Sequence, residues 1–472
     1  MTYKSANIII KPLDLSEAII SIIKQQLSGL EWSFLLESSN TQHVDSNWSI
    51  YTADPIATLT DIDRQTLFHD RLTDITKVME NDPLKAQSRI RKQFFHDQQI
   101  EQFPFVGGVM ATYHYEMGEK FENINHQESN NGLGLAPYYC GFYDWAILFN
   151  VETEQYYLVQ QRCKHQTEDI NLLYTKRLQW LIDLGHGQIE NEKAFRLSEQ
   201  WLANYTEQEY RDSFKKIQEY ILSGDCYQVN LAQRFQATYT GNEYNAYLTL
   251  LEENKAPFAA FIRLPNQAII SLSPERFLQL DKGVIQTKPI KGTMPRGLDE
   301  HQDLLNKQQL SNSEKDQAEN LMIVDLLRND IGKVSKPGTV KVPKLFNIES
   351  FPAVHHLVST VTGELAPEYT CEDLLRACFP GGSITGAPKI RSMEIIYELE
   401  KYFREIYCGS IAYINGNGDM DSSITIRTLV CTQGHIYCWA GGGIVADSIV
   451  ENEYQECFDK VSKILPVLAA LT

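Results

Sequence analysis

Gln286-Thr287-Lys288-Pro289-Ile290-Lys291-Gly292-Thr293 reads as a strand closed by proline, then a lysine, then a glycine turn. Outward from it the elements are mixed. Strands are predicted at Ala260 to Arg263, Ala268 to Leu272 and Val340 to Val342, and a helix from about Ser313 to Leu327. Helices follow near Cys371 to Cys378 and Arg391 to Leu399, then strands at Gly409 to Ile414 and Ser423 to Val430, a glycine turn at Gly441 to Gly443, and a helix from about Glu451. Strands come in clusters and not in regular β-α-β alternation, which makes the chain α+β. A lysine beside glycine is ordinarily a solvated loop residue, and only desolvation or neighbouring charge would make Lys291 a nucleophile.

The first half of the 472 residues reads mainly as sheet, with an apolar strand at Trp32 to Ser39 that runs into polar residues, and further strands at Trp48 to Tyr51, Phe105 to Tyr113 and Trp145 to Val151. The Gly107-Gly108 pair permits a bend or a close backbone approach. A soft boundary near Glu192 divides an N-terminal region, 1–190, from an intertwined catalytic region, 191–472. Thr206-x-x-Glu209 is a capping box that opens a helix ending at Gly224. The charge of −18 lacks any basic stripe and argues against nucleic acid or an anionic membrane. No run reaches membrane-span length and no signal peptide is visible, so a cytoplasmic location is expected. The nine cysteines are scattered, with no C-x-x-C pair, and are expected to be reduced and buried.

Three acids stand out. Glu319 shares an apolar helix stripe with Met322, Ile323 and Leu326, so it needs a cation, a metal or a proton, or an internal salt bridge among Asp325, Arg328 and Asp330. In the last helix Glu453, Glu456 and Lys460 share one face, opposite Tyr454, Phe458, Val461 and Leu465. An i, i+4 Glu-Lys pair also decorates solvated helices, but the Gly441-Gly442-Gly443 turn just upstream offers backbone N–H groups to an anion. Two acids, water and a substrate carboxylate describe a magnesium site. Alternation in Ser423 to Thr428 puts Ser423, Thr425 and Arg427 on one face, and a guanidinium there suits a carboxylate. Gly381 to Lys389 adds a second glycine-rich turn, without the spacing of a nucleotide loop.

Together these stretches resemble the chorismate-utilising enzymes, which include anthranilate synthase, aminodeoxychorismate synthase, isochorismate synthase and salicylate synthase. The resemblance lies in Ser273-Pro274-Glu275-Arg276-Phe277, Pro289 to Thr293, Ala318 to Asp325, His356 to Ser359, Gly386-Ala387-Pro388-Lys389, Ile424 to Arg427 and Ala440 to Gly443. It covers about Leu27 to Leu471 and implies an anthranilate synthase component I-like fold: two facing, antiparallel-rich sheets, helices outside, and the active site between them. It also implies Mg²⁺ held by Glu319 and Glu456 with Glu453 nearby, and chorismate met by Gly292, Thr293, His356, Thr385, Tyr407, Arg427, the backbone of Gly441, Gly442 and Gly443, and Lys460. Glu275 matches the general acid.

Two positions separate the members. Water-adding members carry a lysine base where this chain has Gln228, and a neutral amide cannot take a proton from water. Anthranilate synthases usually have alanine at the position of Lys291, so an amine here implies covalent attack on the ring and amination at C4, towards 4-aminobenzoate and folate. No glutaminase segment is visible, which makes a separate glutamine amidotransferase subunit the expected partner and ammonia source. The family's amino-acid pocket would place tryptophan among Ser38, Asp45, Ser46, Asn47, Trp48, Pro257, Phe258 and Ala259. The alternatives are an anthranilate synthase that tolerates the lysine and a tryptophan-binding regulator without catalysis.

Overall fold

Short runs of β-branched and aromatic residues, broken by glycine and polar turns, pair into two large antiparallel sheets in the computed structural model. It describes residues 2–38, 47–98, 100–122, 124, 131–187, 193–350 and 354–471. Among them the first sheet has 14 strands and the second 12. Both draw on the two ends of the chain. In the first, Ser33–Glu37 pairs with Phe258–Leu264, and in the second Gly108–Tyr113 pairs with Ser410–Asn415. Neither ladder stops near residue 190, and Glu192 lies outside the described residues. Helices pack against the sheets, and no described helix is long and apolar enough to cross a membrane.

The expected two-sheet α+β fold is therefore present, and several local expectations hold. Thr206 caps the Glu207–Ser223 helix through a full capping box, and Gly224 ends it with φ of 82°. All nine cysteines are buried and unpaired. Gly107 and Gly108 bend the chain, and a Cβ on Gly108 would lie 2.1 Å from the Ile414 carbonyl oxygen.

Three expectations need correction. The helix from Ser313 does not stop at Leu327 but runs over Glu314–Gly332, because buried Asp330 is held by Lys389 at 2.6 Å and Lys333 at 2.9 Å. Ser423 to Val430 is not one strand: Met420–Ile424 belongs to the second sheet and Thr428–Thr432 to the first, and the chain crosses between them. Arg427 makes that crossing with φ of 52°, so strand alternation does not govern which way it faces. Gly441 to Gly443 is no turn. It lies inside the His435–Ile444 strand, hydrogen-bonded along Gln228–Thr240. Its other edge pairs with Thr428–Thr432 only as far as Cys438, because that neighbour leaves for the crossing.

One buried ion pair ties distant parts together. Arg91, from the Pro83–Phe94 helix, grips Glu372 at 2.8 and 3.0 Å and reaches the Gly416 carbonyl at 2.8 Å. Although burial raises the Glu372 carboxyl, the guanidinium overrides it and holds the group at about 2. The pair's stabilisation is complete above the ordinary carboxylate range and is lost as pH falls towards 2. Arg91→Met leaves a buried, unpaired carboxylate and should cost about 3–5 kcal/mol in urea unfolding at pH 7. The deficit should shrink at acid pH, where the orphaned carboxyl protonates.

Candidate active site

Of the chain's passages between the sheets, two lie side by side, and each carries a predicted site residue. Pro274-Glu275 joins the strands Gln267–Ser273 and Arg276–Asp281, while Thr425-Ile426-Arg427 makes the return. Backbone bonds clamp the crossings: Ile424 N–H donates to the Glu275 carbonyl at 3.0 Å, and Leu272 N–H to the Arg427 carbonyl at 3.0 Å.

A cavity of about 570 Å³ opens beside them. Glu275, Lys291, Gly292, Thr293, Glu319, His356, Tyr407, Arg427, Gly441, Gly443, Glu453, Glu456 and Lys460 all line it, so residues spread over nearly two hundred positions converge. Thr293 Oγ1 and His356 Nδ1 lie 2.8 Å apart on paired strands. Tyr407 lies parallel to Trp439, with centroids 6.4 Å apart. Gly292 has φ of 78°, and a Cβ there would fall 2.8 Å from Asp316 Cγ.

The electrostatics have one dominant cause. Burial pushes the Glu275 carboxyl up to about 7, against the opposing pull of Lys291 and a 3.3 Å hydrogen bond from Ser383. Burial also moves Lys291 below its ordinary value, aided by Lys460 and resisted by Glu319, Glu275 and Glu456. An ion pair would shift each group the other way. Desolvation therefore outweighs their attraction, and both tend towards neutrality. Arg427 is lowered by burial alone, so no described carboxylate answers its charge.

A family model for chorismate binding enzymes matches residues 32–466. The chain belongs to the chorismate-binding enzymes. It is 46% identical over 468 residues to aminodeoxychorismate synthase component 1 of Escherichia coli, covering 96% of this chain and 99% of the relative. It is 36% identical to anthranilate synthase component 1 of Aquifex aeolicus, covering 82% and 79%. The crystal structure of anthranilate synthase component I from Streptococcus pneumoniae superposes with a TM-score of 0.78 at 31% identity, covering 89% of this chain and 93% of that one.

The cavity of this chorismate-acting enzyme is lined by the lysines Lys291, Lys315 and Lys460 and by Arg427. The acids suit a divalent cation. Burial raises Glu319 and Glu453, and the Glu456 charge pushes both further. A Cβ on Gly442 would meet Glu453 Oε2 at 2.9 Å and Glu456 Oε1 at 3.5 Å, so these two carboxylates converge on the bare glycine backbone. No trio of His, Cys, Asp or Glu among the described residues closes round one point, so three protein ligands at once are not preformed. Magnesium commonly takes only one or two carboxylates and fills its shell with water and substrate oxygens. The expected internal partners of Glu319 are taken, Arg328 by Asp325 and Asp330 by two lysines, and its ion-pair contact is instead a long one to Lys315 at 3.9 Å.

Some placements differ from expectation. Thr385 does not line the cavity; its hydroxyl donates to the Gly381 carbonyl at 3.0 Å. Ser383 lines it instead, because the Gly382–Thr385 helical turn rotates the two side chains apart. Gln228 is wholly buried behind Gly443, where a Cβ would come within 2.6 Å of its Nε2. Asn230, Lys315 and Trp439 were not singled out in the sequence, and only the two-residue strand period from Gln228 signals Asn230. Ser38, Asn47, Trp48, Pro257, Phe258 and Ala259 surround a separate cavity of about 210 Å³, with Ser38 Oγ donating to the Trp48 carbonyl at 2.8 Å. Asp45 and Ser46 lie outside the described residues.

If Glu275 acts as an acid, it is protonated below about 7, so turnover should fall as pH rises through that value. Glu275→Gln should lose roughly 10²–10⁴-fold in kcat and abolish that alkaline limb, as read from a pH–rate profile.

Proposed function

We propose that this enzyme aminates chorismate at C4 to give 4-amino-4-deoxychorismate, the precursor of 4-aminobenzoate, through a covalent bond to Lys291. The observation that carries this reading is that Lys291 and Glu275 line one cavity and that burial there displaces both towards neutrality. A nucleophile must be a free amine and a general acid must hold its proton. The 46% identity to aminodeoxychorismate synthase component 1 supports the same choice.

In the proposed reaction the Lys291 amine attacks C2 and loses a proton. The ring double bonds shift, and the C4–O bond breaks as Glu275 protonates the departing hydroxyl to water. Ammonia then attacks C4, the shift reverses, and the C2–N bond breaks as Lys291 regains a proton. The enolpyruvyl ether is untouched, and the net change exchanges hydroxyl for amine. Arg427 and Lys460 bind carboxylates, while Tyr407, His356 and Thr293 orient the ring. A Mg²⁺ on Glu319 and Glu456, with Glu453 beside them, would supply positive charge to a substrate carboxylate. Ammonia comes from a partner glutamine amidotransferase. The 210 Å³ cavity around Ser38 and Trp48 is the proposed tryptophan site.

Intact-mass analysis after mixing with chorismate and Mg²⁺ without ammonia should show an adduct that maps to Lys291. Lys291→Ala should abolish the adduct and the C4 product. A Lys291→Ala enzyme that forms 4-amino-4-deoxychorismate at the wild-type rate overturns the covalent route. Accumulation of fluorescent anthranilate by the wild type would instead place the chain with the C2-aminating members.

A further inference from the structure

Lys315 lines the catalytic cavity, yet it has no part in the reaction described above. It lies one helical turn before Glu319, with its Nζ 3.9 Å from Glu319 Oε1. That separation is too long for a hydrogen bond, and no other hydrogen bond from Lys315 occurs among the described residues. Its charge nevertheless acts on both Glu319 and Glu453. Lys460 differs: it is fixed by Glu456 at 2.6 Å and by the Gly441 carbonyl at 2.8 Å. Lys315 is thus the loosely held counter-ion of the acid cluster. Its side chain is 55% exposed against 18% for Glu319, so it stands at the rim and can swing without disturbing the core.

We propose that Lys315 is the counter-ion that a divalent cation displaces from Glu319, and that the released ammonium then pairs with the anionic substrate at the cavity rim. The inference rests on the divalent site of the proposed function. A dication attracts the same carboxylate twice as strongly as an ammonium at equal distance, and it repels Lys315. Displaced, the flexible four-carbon stem carries its charge towards a carboxylate of the incoming dianion. Metal and substrate thereby favour each other's binding, while the acids keep a counter-charge when both are absent. Lys315 is a positioning and binding residue in this scheme, distinct from the acids it serves.

Mn²⁺ binding to the full chain, followed by electron paramagnetic resonance without chorismate, separates the two readings. Lys315→Gln should bind Mn²⁺ roughly tenfold more tightly than wild type, since one repelling charge is gone. At saturating Mn²⁺ and without ammonia, the same variant should bind chorismate several-fold more weakly by calorimetry. Lys315→Arg should restore both values, and no merely structural role moves the two affinities in opposite directions. If Glu319→Gln leaves Mn²⁺ binding unchanged, the divalent site itself falls, and this inference with it. If Glu319→Gln weakens Mn²⁺ but Lys315→Gln does not tighten it, the counter-ion role alone is overturned. Tighter Mn²⁺ with unchanged chorismate affinity overturns the hand-over to substrate.

Discussion

The paired crossing between the two sheets is the constraint on which the site depends. Ladders exhaust the backbone hydrogen bonds of every central strand, so a chain that leaves one sheet for the other must find new partners at once. Here the two crossings supply them to each other, with the Ile424 N–H on the Glu275 carbonyl and the Leu272 N–H on the Arg427 carbonyl. The outcome is a rigid gap between sheets, with a carboxyl delivered on one crossing and a guanidinium on the other. The departure of Thr428–Thr432 into its crossing also uncovers the glycine edge beyond Cys438, which becomes a cavity wall.

What the gap excludes matters as much as what it holds. In water a lysine and a glutamate would both be charged at neutral pH, and beside each other they would form an ion pair. In this cavity the loss of solvation outweighs that attraction for both groups, so the carboxyl rises to about 7 and the amine falls. Arg427 has no anion beside it among the described residues, which leaves its binding capacity to an anionic ligand. Across the cavity the imbalance reverses: five acids, Asp316, Glu319, Glu453, Glu456 and Asp459, gather with two lysines, Lys460 anchored by two short contacts and Lys315 lying 3.9 Å from Glu319.

The surrounding fold keeps these groups in place with buried, hydrogen-bonded ion pairs. Asp330, on the helix that bears Glu319, is locked by Lys389 and Lys333. Arg404 joins the carbonyls of Asn230 and Ile384, two residues of the cavity wall, while paired to Glu400. Each such tie fixes a strand or helix against another across long sequence separation, which is what a site assembled from distant segments requires.

Local patterns that depend on neighbouring residues were legible in the sequence: the Thr206 capping box, the Glu453–Lys460 face, the buried thiols and the Gly107-Gly108 bend. So were the motif residues that meet in the cavity, Glu275, Lys291, Glu319, Arg427 and Glu456 among them. What sequence could not supply was the path of the chain between sheets. Ser423 to Val430 has the alternation of one strand, and nothing local says that it breaks at Arg427, because the break is set by which ladder each half joins. The glycines of 441 to 443 read as a turn for the same reason, although strand pairing extends them. Thr385 and Ser383 differ only in the rotation of one helical turn. By itself the sequence determined the residue types and the elements that carry them, through spacing and periodicity. Only the tertiary structure decided which side chains share one desolvated space, because burial is a property of the packed whole and it is burial that shifts Lys291 and Glu275 towards their neutral forms.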